Sequence, residues 1–317
     1  MRAVIMRRFG GPEVLSLEEV PDPEPRRTEV LLNVTRSGIN YADIHVRENT
    51  YLSPVELPYI PGNEVVGTTP EGKRVVALTQ GGGYAEKVAV RRTLHWEIPD
   101  SVSDQQAVPL ALQGNTAWHL LFTVARVAEG EKVVISAAGG GVGSLAVQLA
   151  TQVGAKVIAL ASTEEKRQLA LNLGASAVVD STAEEDLTDR IREAAGGPVH
   201  AALEMTGGST LHQIVAALAP RGRLAVYGFA SGELTNVPVH TVLQNSITVA
   251  GFWLPHLYAA ERGTLLARST KGLFAAVSTG SLKVIDGGTY PLGDAEEAHR
   301  TLGSRSATGK VSLDTGK

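Results

Sequence analysis

From Lys132 onward, apolar residues come in short dense runs separated by stretches with helical spacing. Lys132–Ser136 (KVVIS) reads as a buried strand. Val142–Val153 places apolar residues at helical intervals and ends at Gly154, suited to the left-handed turn that closes a helix. Lys156–Ala161 is the next strand, and Thr163–Leu173 the next helix, stopped by Gly174. Ala177–Val179 follows as a short strand and Leu187–Ala195 as a helix. Val199–Leu203, Leu224–Tyr227 and Ile247–Gly251 read as further strands. Strands alternating with helices predict a parallel sheet covered on both faces. The first third of the chain has a different texture. Val30–Val34 and Arg74–Leu78 read as strands, and Pro21, Pro23, Pro25, Pro54, Pro58, Pro61 and Pro70 punctuate the rest. The run PDPEPRR at 21–27 is expected as an extended surface loop. Beyond Phe252 the pattern is mostly helical until Lys283–Ile285 and Lys310–Leu313, two strand-like runs expected to rejoin the first lobe.

These textures divide the chain into a β-rich lobe (1–113), an α/β domain (114–252) and a C-terminal segment (253–317) that returns to the first lobe. Two lobes suit 317 residues, because one core rarely grows past about 250–300. The formal charge of −4 argues against a nucleic-acid-binding surface, which usually carries a basic excess. The chain has no cysteine. That excludes disulfides, thiolate-held zinc, iron–sulfur clusters and a thiolate nucleophile, and it fits a reducing cytoplasm. No signal-peptide pattern is evident at the N-terminus, and no apolar run approaches the roughly 20 residues that cross a bilayer. A cytoplasmic protein without a membrane partner is the expectation.

The strongest chemical signal lies between the Lys132 strand and the Val142 helix: Ser136-Ala137-Ala138-Gly139-Gly140-Gly141-Val142-Gly143. Glycines there permit a tight turn, and backbone can approach a diphosphate. The helix start offers unpaired N–H groups and the positive end of its dipole. The G-x-G-x-x-G spacing fits only with Ala138 in the first place, followed by Gly140 and Gly143. No Gly-Lys-Ser/Thr ends the turn, which argues against a nucleotide triphosphatase. Dinucleotide binding is expected; a close-packed βα turn without a ligand is the competing reading. At the end of the next strand, where a ribose-binding acid would stand, the sequence is Leu160-Ala161-Ser162-Thr163, followed by Lys166 and Arg167. Small polar residues and a cation suit a 2′-phosphate, favouring NADPH over NADH. Against this, Ser162 with Glu165 makes a capping box, Lys166 and Arg167 suit solvated helix positions, and Glu164 and Glu165 partly cancel the charge. Asp180 in Val179-Asp180-Ser181 also adds negative charge.

Further upstream stand Gly38-Ile39-Asn40-Tyr41-Ala42-Asp43 and Pro61-Gly62-Asn63-Glu64-Val65-Val66-Gly67. Near the C-terminus stand Tyr290-Pro291-Leu292, Asp294-Ala295, Ala298-His299, Ser304-Arg305 and Gly309-Lys310. Together with Ala137–Gly143, and in this order over nearly the whole chain, these segments resemble the medium-chain dehydrogenase/reductase superfamily. Within it the chain resembles the zinc-independent quinone oxidoreductase family, which includes zeta-crystallin. The resemblance implies a Rossmann doubly wound parallel sheet plus a discontinuous GroES-like lobe, with NADPH bound in a cleft between lobes. It also implies reduction of quinones or conjugated enones and a homodimer joined through an edge strand near Ile247–Phe252. The metal-using members carry Cys in the first motif and His before Glu in the second. Here those places hold Asn40 (or Ile39) and Asn63, and the eight histidines form no close pair at ligand spacing. A metal-free reaction is expected.

The resemblance points to Asn40 as the group near the nicotinamide and substrate oxygen, and to Tyr51 as a proton or hydrogen-bond donor. Their competing roles are loop fixation for Asn40 and cleft lining for Tyr51. Tyr41 lies nearby, and Asp43 suits a structural role. Thr116 is expected near the nicotinamide, with a helix-start cap as the alternative. The expected cofactor contacts are Gly139, Gly140, Gly141, Val142, Gly143, Ser162, Thr163, Lys166, Ser181, Gly228, Phe229, Phe252 and Lys310. Of these, Lys310 is expected to reach a phosphate, or else to lie idle at the surface. Phe252 and Trp253 wall the ring end of the cofactor or belong to the core. The Gly251-Phe252-Trp253-Leu254 run and Asn63 look more like enoyl reductases. An enoyl-thioester reductase is therefore the alternative to an enone or quinone reductase, and a non-catalytic cofactor- or RNA-binding protein the lesser one.

Overall fold

The computed structural model describes residues 1–182, 185–233, 235–258 and 263–316. The chain divides into two units, Met1–Asn115 with Leu257–Lys317, and Thr116–His256. The first begins with a hairpin of β1 (Arg2–Met6) and β2 (Leu15–Glu19). There follow β3 (Glu29–Gly38), α1 (Tyr41–Arg47), β4 (Glu64–Thr68), β5 (Arg74–Leu78), β6 (Lys87–Arg91), β7 (His95–Glu97) and α2 (Asp104–Pro109). Val30, Leu32 and Val34 alternate inward along β3 and pack with Val65, Val75, Ala77, Val88 and Val90. Residues 21–27 carry no strand or helix, as expected.

A helical run then continues from α2 through α3 (Asn115–His119) to Val124. It widens into π turns at Leu110–Gly114 and Leu120–Val124. Such widening releases backbone groups from their usual partners. Asn115 Nδ2 collects two of them, donating to Leu110 O at 3.2 Å and Ala111 O at 2.9 Å.

The second unit contains β8 (Lys132–Ile135), α4 (Gly141–Gln152), β9 (Lys156–Ala161), α5 (Glu164–Asn172), β10 (Ala177–Asp180) and α6 (Leu187–Ala195). It continues through β11 (Val199–Glu204), α7 (Gly208–Ala217), β12 (Leu218–Val226), α8 (Val239–Gln244) and β13 (Thr248–Gly251). All six strands are parallel, in the order β10-β9-β8-β11-β12-β13. The first strand of the unit is central and the order reverses beside it, which is the doubly wound arrangement expected from the sequence. Gly154 and Gly174 take positive φ (79° and 104°) just past α4 and α5, as helix-closing residues. The cap of α5 is Thr163, whose Oγ1 accepts from Lys166 N at 3.3 Å. This corrects the expected Ser162 cap: the helix begins one residue later.

The chain then adds α9 (Gly263–Ser278), β14 (Asp286–Pro291), α10 (Ala295–Gly303) and β15 (Lys310–Asp314) to the first unit. Its larger sheet runs β14-β15-β3-β4-β5-β7, with β6 pairing β3. The C-terminal strands β14 and β15 thus lie in the sheet of the first unit. The penultimate strand, however, begins at Asp286, not Lys283: its first pair is Asp286 with Lys310, and the register then shifts across Gly287 and Gly288 before Thr289 pairs with Ser312. No helix of the described residues is long and apolar enough to cross a membrane.

Candidate functional site

In the second unit the glycine turn is shaped by close approaches. A Cβ on Gly143 would lie 2.3 Å from Ala137 O and 2.7 Å from Ala138 Cα, both backbone atoms, so only glycine lets α4 start this close to β8. Gly140, in extended conformation, precedes α4 without a side-chain cap. The first N–H groups of α4, from Gly141, Val142 and Gly143, therefore lack helical partners and suit an anion. Lys166 crosses Gly139: a Cβ there would meet Lys166 Cγ at 2.8 Å. Burial lowers the Lys166 ammonium below its ordinary range, against an opposing contribution from Glu165.

Because the strands are parallel, their C-terminal ends share one edge. That edge carries Ser162 and Thr163 after β9, Ser181 after β10, Gly228 and Phe229 after β12, and Phe252 after β13. Arg167 is committed within it, with Nη1 on Ala161 O at 3.2 Å and on Asp180 Oδ2 at 3.1 Å. The negative charge of Asp180 is thereby paired. Hydrogen bonds from Thr182 hold its carboxyl below the usual range. Thr116 is buried inside the continuous helical run, not at a helix start. Phe252 stacks on His119, ring centres 6.3 Å apart at 22°. Burial pushes the His119 imidazole down to about 4. Sequence reasoning missed His119, and also Glu204, a buried carboxylate that accepts from Thr206 N at 2.6 Å and Gly207 N at 3.1 Å.

In the first unit, Asn40 sits at the start of α1, and its side-chain amide is buried in a polar cluster. Its Nδ2 donates to Glu64 Oε1 at 2.9 Å. Its Oδ1 accepts from Lys310 Nζ at 3.0 Å and Gln113 Nε2 at 3.1 Å. Asp43 accepts from the Asn40 backbone N–H at 2.8 Å and from Asn63 Nδ2 at 2.7 Å. Glu64 Oε2 accepts from Leu112 N at 2.9 Å, an amide of the first π turn.

Lys310 does not stand at a surface, where the sequence reading left it when idle. The structure gives it buried protein partners, where the resemblance led to the expectation of a phosphate. Its ammonium is 3% exposed and donates to Glu64 Oε1 (2.5 Å), Ile39 O (2.8 Å) and Asn40 Oδ1 (3.0 Å). Those contacts use all three of its protons. Tyr51 is half-buried against the core that contains Ile39, Val46 and Tyr84. Burial pushes the Tyr59 phenol up to about 12, with Asp43 and then Tyr51 adding to the shift. Burial also raises Tyr258, again with Tyr51 and then Glu64 contributing. Tyr258 and Gln113 were not singled out from the sequence. The available signal for Gln113 was a lone amide in the apolar helical stretch Leu110-Ala111-Leu112.

Chemically, one unit offers an uncapped helix start with a lysine beside it, and the other a rigid amide with one N–H to give. Residues 26–100 match the family described as alcohol dehydrogenase GroES-like domain, and residues 141–270 the family described as zinc-binding dehydrogenase. The chain is 32% identical to the quinone oxidoreductase-like protein 2 homolog of Nematostella vectensis, covering 99% of this chain and 89% of that one. It is 31% identical to human quinone oxidoreductase, over 99% and 97%. Among solved structures it resembles Escherichia coli quinone oxidoreductase complexed with NADPH, with TM-score 0.91, 29% identity and coverage of 99% and 100%. It also resembles the quinone oxidoreductase of Thermus thermophilus, reported with its NADPH complex, with TM-score 0.87, 35% identity and the same coverage.

Proposed function

The chain belongs to the quinone oxidoreductase family of the medium-chain dehydrogenase/reductase superfamily, and from that premise we propose that it is an NADPH-dependent reductase of quinones or conjugated enones that works without a metal ion. When bound, the cofactor supplies hydride. The chain's own residues bind, orient and donate. The N–H groups of Gly141, Val142 and Gly143 fit a diphosphate, and Ser162, Thr163 and Lys166 fit the 2′-phosphate end, where β9 closes without a carboxylate. Gly139, Gly140, Thr116, Ser181, Gly228, Phe229 and Phe252 complete the cofactor contacts.

The observation that carries the substrate reading is the Asn40 amide. Among the described residues, one Nδ2 proton of this buried group has no partner after Glu64 has taken the other. A hydrogen-bond donor fixed in place stabilises the oxygen of a carbonyl that gains negative charge when its conjugated carbon accepts hydride. Tyr51, or water, then supplies the proton.

Zinc does not suit the donors present. The chain has no thiolate, Asn63 precedes Glu64, and both Glu64 oxygens are already engaged, one of them by the Lys310 ammonium. Among the described residues no three His, Asp or Glu side chains cluster to hold an ion. Without a Lewis acid for an alkoxide, reduction of an already polarised double bond is the better-supported chemistry.

The assembly we propose is a homodimer. β13 is an edge strand with Val249 exposed, and α8 beside it in sequence exposes Val239 (64%) and Leu243 (74%). Light scattering at micromolar concentration should give twice the chain mass.

The catalytic test is NADPH oxidation with 1,4-benzoquinone-type acceptors, small enones and a crotonyl thioester, with and without chelator. Turnover of the first two, insensitive to chelation, is expected. A preference for the thioester would move the assignment to an enoyl reductase. Tight NADPH binding with no turnover, or activity restored to chelated protein by a divalent salt, would overturn the proposal.

A further inference from the structure

The Asn40 side chain has four hydrogen-bonding positions, two lone pairs on Oδ1 and two protons on Nδ2. Three are held by other side chains: Oδ1 by Lys310 and Gln113, and Nδ2 by Glu64. Turning the amide over would set its NH2 against the Lys310 ammonium and the Gln113 NH2, and its oxygen against the Glu64 carboxylate. Only one orientation is compatible with those neighbours, and it leaves an N–H as the outgoing group. Two donors on the amide oxygen also polarise the amide and strengthen that N–H as a donor. The arrangement is itself anchored. Lys310 and Glu64 pair at 2.5 Å, both almost wholly buried, and Glu64 is tied to the helical run through Leu112 N. Gln113 pays a visible cost for its place, because among the described residues its buried Oε1 has no hydrogen-bond partner. Stability given up beside a candidate catalytic group is a mark of function.

We propose that Lys310, Gln113 and Glu64 are positioning residues that lock the Asn40 amide with one N–H directed to the substrate's carbonyl oxygen. This rests on the assignment of Asn40 as the oxygen-stabilising donor and extends it to groups 24, 73 and 270 residues away in sequence.

The experiment measures kcat and KM with a quinone and an enone for Asn40→Ala, Gln113→Leu, Lys310→Met and the doubles N40A/Q113L and N40A/K310M. Rates are normalised to NADPH sites titrated by fluorescence. Gln113→Leu and Lys310→Met should each lower kcat about 10–100-fold, leaving KM for NADPH and the number of sites unchanged. Groups that act only through Asn40 add nothing once it is gone, so both doubles should match N40A. Doubles that fall further in proportion would assign Lys310 and Gln113 a general structural role and overturn the proposal. So would wild-type kcat in Gln113→Leu alongside a loss in N40A, with the Asn40 assignment left standing. Wild-type kcat in N40A would remove that assignment and this proposal together. Should Lys310→Met fail to fold because Glu64 is left unpaired, Gln113→Leu and its double decide alone, since they remove no charge.

Discussion

Tyr84 donates its phenolic proton to Asp43 Oδ2 at 3.1 Å, with both side chains buried. The same phenol oxygen lies 3.0 Å from His299 Nε2, and His299 Nδ1 lies 3.2 Å from Arg47 Nη1. The guanidinium can only donate, so Nδ1 accepts, Nε2 carries the proton, and it donates to Tyr84. The direction of every bond from Arg47 to Asp43 follows. The chain ends on the carboxylate that holds the Asn40 backbone at the start of α1.

Removing the phenol hydroxyl breaks two of these bonds at once. Tyr84→Phe leaves His299 Nε2–H and an Asp43 oxygen without their buried partner, a cost of about 1–3 kcal/mol. The urea midpoint of the variant should drop accordingly, with NADPH affinity unchanged because the glycine turn lies in the other unit. An unchanged midpoint would show that these contacts carry no net stability.

Acid stability should carry two opposed signatures from this chain. Burial, aided by Arg47, pushes His299 down to about 3 from an ordinary 6.5. Its contribution is present at neutral pH and is lost as pH falls from about 6.5 towards 3, worth on the order of 5 kcal/mol in full. Burial pushes Asp43 up to about 6 from 3.8, against the hydrogen bond from Asn40 N–H and the charge of Lys310. That contribution is present below pH 4 and is lost as pH rises through about 6, on the order of 3 kcal/mol. Urea midpoints at pH 4, 5, 6 and 7 separate the two. Relative to His299→Gln, the wild type should lose stability on acidification; relative to Asp43→Asn, it should gain. The same sign in both comparisons would contradict the burial argument.

The sequence made the second unit far more legible than the cluster around Asn40, for a physical reason. Strands and helices such as Lys156–Ala161 and Leu187–Ala195 are written in local periodicity, and the glycine turn is written in adjacent residues. The Glu64–Lys310 pair joins positions 246 residues apart, which no local pattern encodes. Seen alone, each is a charged residue that carries no mark of its partner, and the phosphate expected for Lys310 came from the family resemblance. The π turn at Leu110–Gly114 was equally hidden, because its apolar spacing reads as an ordinary helix. Its widening is supported by tertiary bonds at Asn115, whose Oδ1 accepts from Ser269 Oγ and whose Nδ2 lies 2.9 Å from Thr270 Oγ1. The α5 cap was misplaced by one residue for a smaller reason, since Ser162 and Thr163 are both good caps and only the chain's exit from β9 decides between them.

Gly143 should tolerate no side chain. In Gly143→Ala the new methyl would fall 2.3 Å from Ala137 O, and neither backbone can retreat without separating α4 from β8. The second unit should lose about 1–3 kcal/mol, the range of overpacked cores, and calorimetry should show NADPH binding weakened at least tenfold. Gly139→Ala should be milder, because it meets the Lys166 stem and not backbone. Equal effects at the two positions would refute the distinction.

Lys166 separates two readings of the cofactor end. Its stem packs on Gly139, which suits a brace for the turn; its place in the first turn of α5, just after Ser162 and Thr163, suits recognition of a 2′-phosphate. Arg167 does not compete for that phosphate, being held by Glu164, Ala161 O and Asp180. A charge-assisted hydrogen bond to the phosphate is worth about 1.5–3 kcal/mol, or roughly 10–100-fold in affinity. Lys166→Met keeps the apolar stem over Gly139 and removes the charge. NADPH affinity should therefore fall by that factor while NADH affinity stays as it was, and added salt should weaken NADPH binding to the wild type more than to the variant. Were NADH to weaken equally, the lysine would be a brace for the diphosphate turn, and the 2′-phosphate would have to be recognised by Ser162, Thr163 or Ser181.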